Sequence, residues 1–165
     1  MLQLKKTDIS MKKHSSLSIR SIFRYLMENR YYPIYENTHL LFELDGNMAV
    51  LELDEDIVIL RVFFSIEEND HDKLLEASNS CMTRTYMVKA ALLDDMKNIM
   101  FSCETLCSSS GDFARHFPKM TELIKEAIGI HKDEMKHLLL TEEILKATMP
   151  VTEDPATGIG RKLLS

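Results

Sequence analysis

The segment His131-Lys132-Asp133-Glu134-Met135-Lys136-His137 gathers histidines and carboxylates, the side chains that hold zinc or move protons. A zincin helix needs two histidines four apart, one turn, with a glutamate directly after the first. In this segment the histidines are six apart, which sets them far around a helix from each other. Glu134 shares a face with His131, yet two ligands do not make a metal site. The expectation is a partly buried His131 and an exposed His137. Cys103 and Cys107 fall four apart in one predicted strand, on the same face but about 13 Å apart along it, too far to bridge or chelate. They read as small apolar core residues. Cys81, on a predicted helix, has no evident base beside it, and a nucleophilic role would need a histidine brought close in space.

The remaining polar clusters are weaker. Asp54-Glu55-Asp56 and Glu67-Glu68-Asn69-Asp70-His71-Asp72 lack the turn glycine of a calcium loop. The second reads as carboxylates near the start of a helix, where the backbone dipole favours them. Ser108–Gly111 precedes a helix but lacks the lysine and spacing of a phosphate-binding loop. No catalytic, metal or cofactor-binding residue is assigned, and no cofactor is expected.

Composition narrows the class. The chain has 165 residues with 45% hydrophobic content, enough for a core in one domain. Net charge is −6, from 26 acidic and 20 basic residues, and the basic residues are scattered apart from Lys5–Lys6 and Lys12–Lys13. That is not the basic stripe of a nucleic-acid binder. No apolar run reaches bilayer length, and the first residues lack the apolar core of a signal peptide. The three cysteines cannot all pair within one molecule and form no CxxC, so a reducing, cytoplasmic setting is expected.

These residues must be placed by the elements around them. Ser16–Arg30 reads as an amphipathic helix with Ile19, Ile22, Phe23 and Leu26 on one side, capped by Ser16 or Ser18 and ended before Pro33. Four strands follow at Tyr32–Glu36, His39–Leu44, Met48–Leu53 and Ile57–Ile66. Their short links, one of them Asp45-Gly46-Asn47, dictate an antiparallel meander. A helix at Asp70–Met82, capped by Asn69 or Asp70, turns Leu74, Leu75, Ala77, Ser78 and Cys81 to one side. Strands Tyr86–Leu92 and Ile99–Cys107 come next, then a long helix in which Phe113, Phe117, Met120, Ile124, Ala127/Ile128, His131, Met135 and Leu138 keep helical spacing. Gly129 weakens it by about 1 kcal/mol without stopping it. The pattern fades after Thr141, and Pro150 and Pro155 cannot continue a helix. The expected fold is α+β, order α-β-β-β-β-α-β-β-α, a two-layer sandwich with helices on one face of a mostly antiparallel sheet. Residues 1–15 are expected as a flexible leader, 16–140 as the domain and 141–165 as a C-terminal tail.

Period-2 reading divides the strands into two faces. One is apolar throughout: Leu40/Phe42/Leu44, Leu51/Leu53, Val58/Leu60/Val62/Phe64, Val88/Ala90/Leu92 and Ile99/Phe101. The other mixes charges with Leu41, Val50, Ile57, Ile59, Phe63, Met87 and Met100. That is too much clustered apolar surface for a solvated face, so these residues form the candidate protein-contact face. A second subunit, a client or the chain's own tail could cover it.

The helix ending in an aromatic residue, the Asp-Gly turn at Gly46, Tyr32, the Ala77-Ser78-Asn79 element, the following hairpin and the long last helix together resemble the YbjN-like family. Its bacterial members are often labelled sensory transduction regulators and share the fold of type III secretion chaperones. The resemblance spans about Ser16 to Met135. It implies a binding role without catalytic residues, chaperone-like or as a regulatory adaptor, with a protein partner and often as a homodimer. No nucleic-acid or membrane partner is expected. The alternative is an enzyme with a site assembled in space around Cys81 or His131.

Overall fold

The computed structural model describes residues 16–67, 70–95 and 97–148, so the expected leader at 1–15 and the last part of the expected tail, 149–165, lie outside the described residues. The elements are α1 (Ile19–Glu28), β1 (Ile34–Glu36), β2 (His39–Leu44), β3 (Asn47–Asp54), β4 (Ile57–Ser65), α2 (His71–Arg84), β5 (Val88–Leu92), β6 (Asn98–Leu106) and α3 (Ser110–Thr148). This is the predicted order. The six strands form one antiparallel sheet, β1-β2-β3-β4-β6-β5, so β6 inserts between β4 and β5.

Local chemistry explains the boundaries. Ser18 caps α1, accepting a hydrogen bond from the Ser21 amide while the Ser21 hydroxyl oxygen accepts one from the Ser18 amide. The helix ends earlier than predicted. Arg30 stands at φ 64°, the Tyr31 amide donates to the Leu26 carbonyl and the Arg30 amide to Met27, a Schellman ending placed ahead of Pro33. Tyr32 (φ 47°) and Met87 (φ 61°) occupy the left-handed region. That interrupts the extended runs and delays β1 to Ile34 and β5 to Val88. Asp45 (φ 51°) and Gly46 (φ 78°) link Leu44 to its partner Asn47, the two-residue turn whose twist suits a hairpin. Asp70 caps α2 through the Lys73 amide.

The helices pack on one face. Ile22 and Leu26 of α1, Leu74, Ala77 and Cys81 of α2, and Phe113, Phe117, Ile124 and Ala127 of α3 share one core with Leu40, Leu51, Leu60 and Phe101. Leu40, Leu51 and Leu60 lie in one cross-strand row, each fully buried. A side chain of that size contributes about 2 kcal/mol by leaving water. Leu75, predicted on the packed side of α2, is exposed. The α3 helix also departs from expectation. It continues through Thr148, so residues 141–148, expected as the start of a tail, are helical. Glu142, Leu145, Lys146 and Ala147 are good helix formers, and Glu142 pairs with both Lys146 and Lys73 of α2.

Candidate protein-contact face

The strand register builds the outer face row by row. Ile34, Leu41, Val50, Arg61, Ser102 and Lys89 form one cross-strand row, and Glu43, Met48, Phe63, Met100 and Ala91 another. Ile59 lies between Glu52 and Glu104, and Ile57 between Asp54 and Leu106. Six of the seven predicted residues therefore share this face. Leu41, Ile59, Phe63 and Met100 are half-buried, Val50 is buried among its neighbours, and Ile57 is 37% exposed. Met87 departs from the prediction: it precedes β5 rather than lying in a strand, and is 60% exposed. Three contributors were missed, Ile34 (67% exposed), Met48 (54%) and Leu106 (65%), although alternation from Val50 and Glu104 marks the last two.

Every residue that the helices bury belongs to the opposite face, and among the described residues no helix crosses this one. Its charges are partly paired: Arg61 with Glu52, and Lys89 Nζ with Glu104 Oε1 at 3.0 Å. Such exposed pairs add little to stability, and the Arg61–Glu52 pair separates Ile59 from the apolar cluster of Leu41, Met48, Val50, Phe63 and Met100.

A second feature lies at the far end of α3, where Phe64 and Ile66 meet Leu74, Met135, Leu139 and Leu140 around an open groove of about 530 Å³. Sequence reading did not find it, because its walls come from the end of β4, the link after it, α2 and α3. Lys132 Nζ sits 4.7 Å above the Phe64 ring at its edge.

Among the described residues, those first considered for chemistry, Cys81, Cys103, Cys107, His131, Glu134 and His137, share no hydrogen bond or ion pair with one another. Cys81 Sγ donates to the Ala127 carbonyl at 3.3 Å, and burial pushes its thiol up, partly offset by Thr85 and Arg84. Burial also raises Cys103, with the charge of Glu104 adding to it. Cys107 is pushed up to about 11, first by burial and then by Asp112. All three are buried thiols, which resist forming the nucleophilic thiolate. His131 is fully buried, deeper than expected, edge-on to Phe101, with its Nε2 unpartnered. Burial pushes its imidazole down, and a hydrogen bond with the Leu74 backbone opposes that shift. Cys81 and His131 line the same α2–α3 seam, but no hydrogen bond joins them. His137 is exposed. Among the described residues no three His, Cys, Asp or Glu side chains gather as a metal site, and no helix is long and apolar enough to cross a membrane.

No family model matches the chain, and no curated protein matches it. Solved structures do. YbjN from E. coli, described as a candidate transcription regulator, superposes with a TM-score of 0.58 at 13% identity, covering 73% of this chain and 94% of that one. A chain of the HopA1–SchA chaperone–effector complex gives a TM-score of 0.42 at 10% identity, covering 66% and 95%, a likeness too distant to carry an argument. The sheet order, the one-sided helices and the YbjN superposition agree with the resemblance read from the sequence: this chain has a YbjN-like α+β fold.

Proposed function

We propose that the chain is a non-enzymatic protein-binding module, chaperone-like or a regulatory adaptor, that engages a protein partner through the outer face of its sheet. The observation that carries this reading is the placement of Leu41, Val50, Ile59, Phe63 and Met100 on a face that no described helix covers. Apolar side chains clustered on an exposed face and interleaved with charged residues are the ordinary composition of a contact site. The likeness to a candidate transcription regulator and the core-facing thiols support the same reading, and buried unpaired cysteines suit a cytoplasmic location. A second copy of the chain is the first partner to test.

Replacing Ile59 and Phe63 together with aspartate places two charges on this face. The expected result is a lower solution mass by light scattering with an unchanged far-ultraviolet circular dichroism spectrum. Loss of folding would make these positions core and end the proposal. Retention of both the fold and the parent's association would exclude this face as the contact.

A further inference from the structure

Beyond that reading, we propose that the C-terminal half of α3 pairs antiparallel with α3 of a second copy across the open groove, on a surface separate from the sheet. The residues α3 presents to this side are Lys132, Met135, Lys136, Leu139, Leu140 and Glu143. Their spacing of three and four keeps them on one helical face, and Ile144 and Ala147 prolong it. Ile144 is 63% exposed and Leu140 49%, on a helix end where every residue from Glu143 to Thr148 is exposed. A helix end carrying leucine and isoleucine, next to a groove floored by Phe64, Ile66 and Met135, exposes both halves of an apolar contact on one chain.

The charges say which occupant fits. The basic residues Lys132 and Lys136 stand at the N-terminal end of this face and Glu143 toward the C-terminal end. Neither Lys136 nor Glu143 has an ion-pair partner among the described residues. A twofold axis requires a surface that complements itself, so that if residue i meets j, then j meets i. An antiparallel pair of α3 helices with the axis between Leu139 and Leu140 does this. It sets Lys136 opposite Glu143 twice and Leu139 against Leu140. The partner's Leu140 then meets Leu139 beside the apolar floor that its own chain leaves open. A small apolar ligand or the segment 149–165 could also occupy the groove, but neither requires this reversal of charge along the helix.

The test uses the full-length chain with Lys136→Glu, Glu143→Lys and both together, all at exposed positions. Each single substitution turns two attractive contacts into two repulsive ones and weakens the dimer by about tenfold or more by light scattering or sedimentation. The double variant restores opposite charges and regains the dimer. An equimolar mixture of the two single variants regains it too, because one chain then carries two glutamates and the other two lysines. Association through the sheet face would be the same in all these samples, so it cancels, and failure of this pairing leaves the sheet-face reading intact. Equal masses throughout would overturn the proposal. So would a loss that neither the double variant nor mixing reverses, which would assign the two charges to 149–165 or to another ligand.

Discussion

Protonating His131 would place a charge against Phe101 in the core, with its Nε2 lacking any acceptor. Its folded-state pKa is depressed by burial, while the unfolded chain titrates near the ordinary value of about 6.5. Below that pH the unfolded state takes up a proton that the folded state refuses. Stability contributed by the neutral ring is therefore complete above about pH 6.5 and is lost as pH falls toward the folded value. The urea midpoint should drop between pH 7.5 and 5.5, and His131→Leu should flatten that slope. An unchanged slope would place the titrating group elsewhere. A second loss belongs to lower pH, where Asp70, Asp95 and Glu142 protonate. Each of these is held below the usual carboxylate range by hydrogen bonds, from Lys73, from the Lys97 amide and Asn98, and from Lys146 and Lys73 respectively. The histidine spacing was legible in the sequence as unsuited to a zincin site. The depth of His131 was not, because its burial is made by Leu74 and Phe101, distant in sequence.

At the scale of the element, α3 spans 39 residues and tolerates both Pro118 and Gly129. Pro118 supplies no amide donor, and the Thr121 hydroxyl donates to its carbonyl at 2.7 Å. Gly129 is exposed, and a Cβ added there meets nothing within 4 Å. Gly129→Ala should therefore stabilise the protein by about 1 kcal/mol, read as a melting temperature higher by a few degrees. A fall would mean that the glycine serves the packing against β4 nearby. The strands were legible because alternation and the Asp45-Gly46 turn are local signals. The end of α3 was not, since the apolar pattern fades after Thr141 while good helix formers and the links of Glu142 to Lys73 and Lys146 carry the helix onward.

Across the whole molecule the two faces of the sheet should respond differently to substitution. Leu60 is fully buried beneath the helices, and Leu60→Ala should cost about 3 kcal/mol in chemical denaturation. Its sequence neighbour Ile59 points to the outer face, where Ile59→Ala should cost less than about 1 kcal/mol in the isolated chain and act instead on association. Equal costs at both positions would mean that something covers the outer face in the free protein.

The sequence by itself determined the α+β class, the element order and the division of each strand into a core side and an outer side. Those follow from period-2 and helical spacing, from turn chemistry and from links too short for parallel crossovers. Helices on one face of the sheet were expected from the sequence too; the tertiary structure decided that no described helix crosses the other face, which leaves Leu41, Ile59, Phe63 and Met100 uncovered. It also decided that β6 runs between β4 and β5, and that Phe64, Ile66, Leu74 and Met135 meet in one groove. The physical reason is that spacing reports which side of an element is apolar, whereas what that side meets depends on packing among residues far apart in the chain.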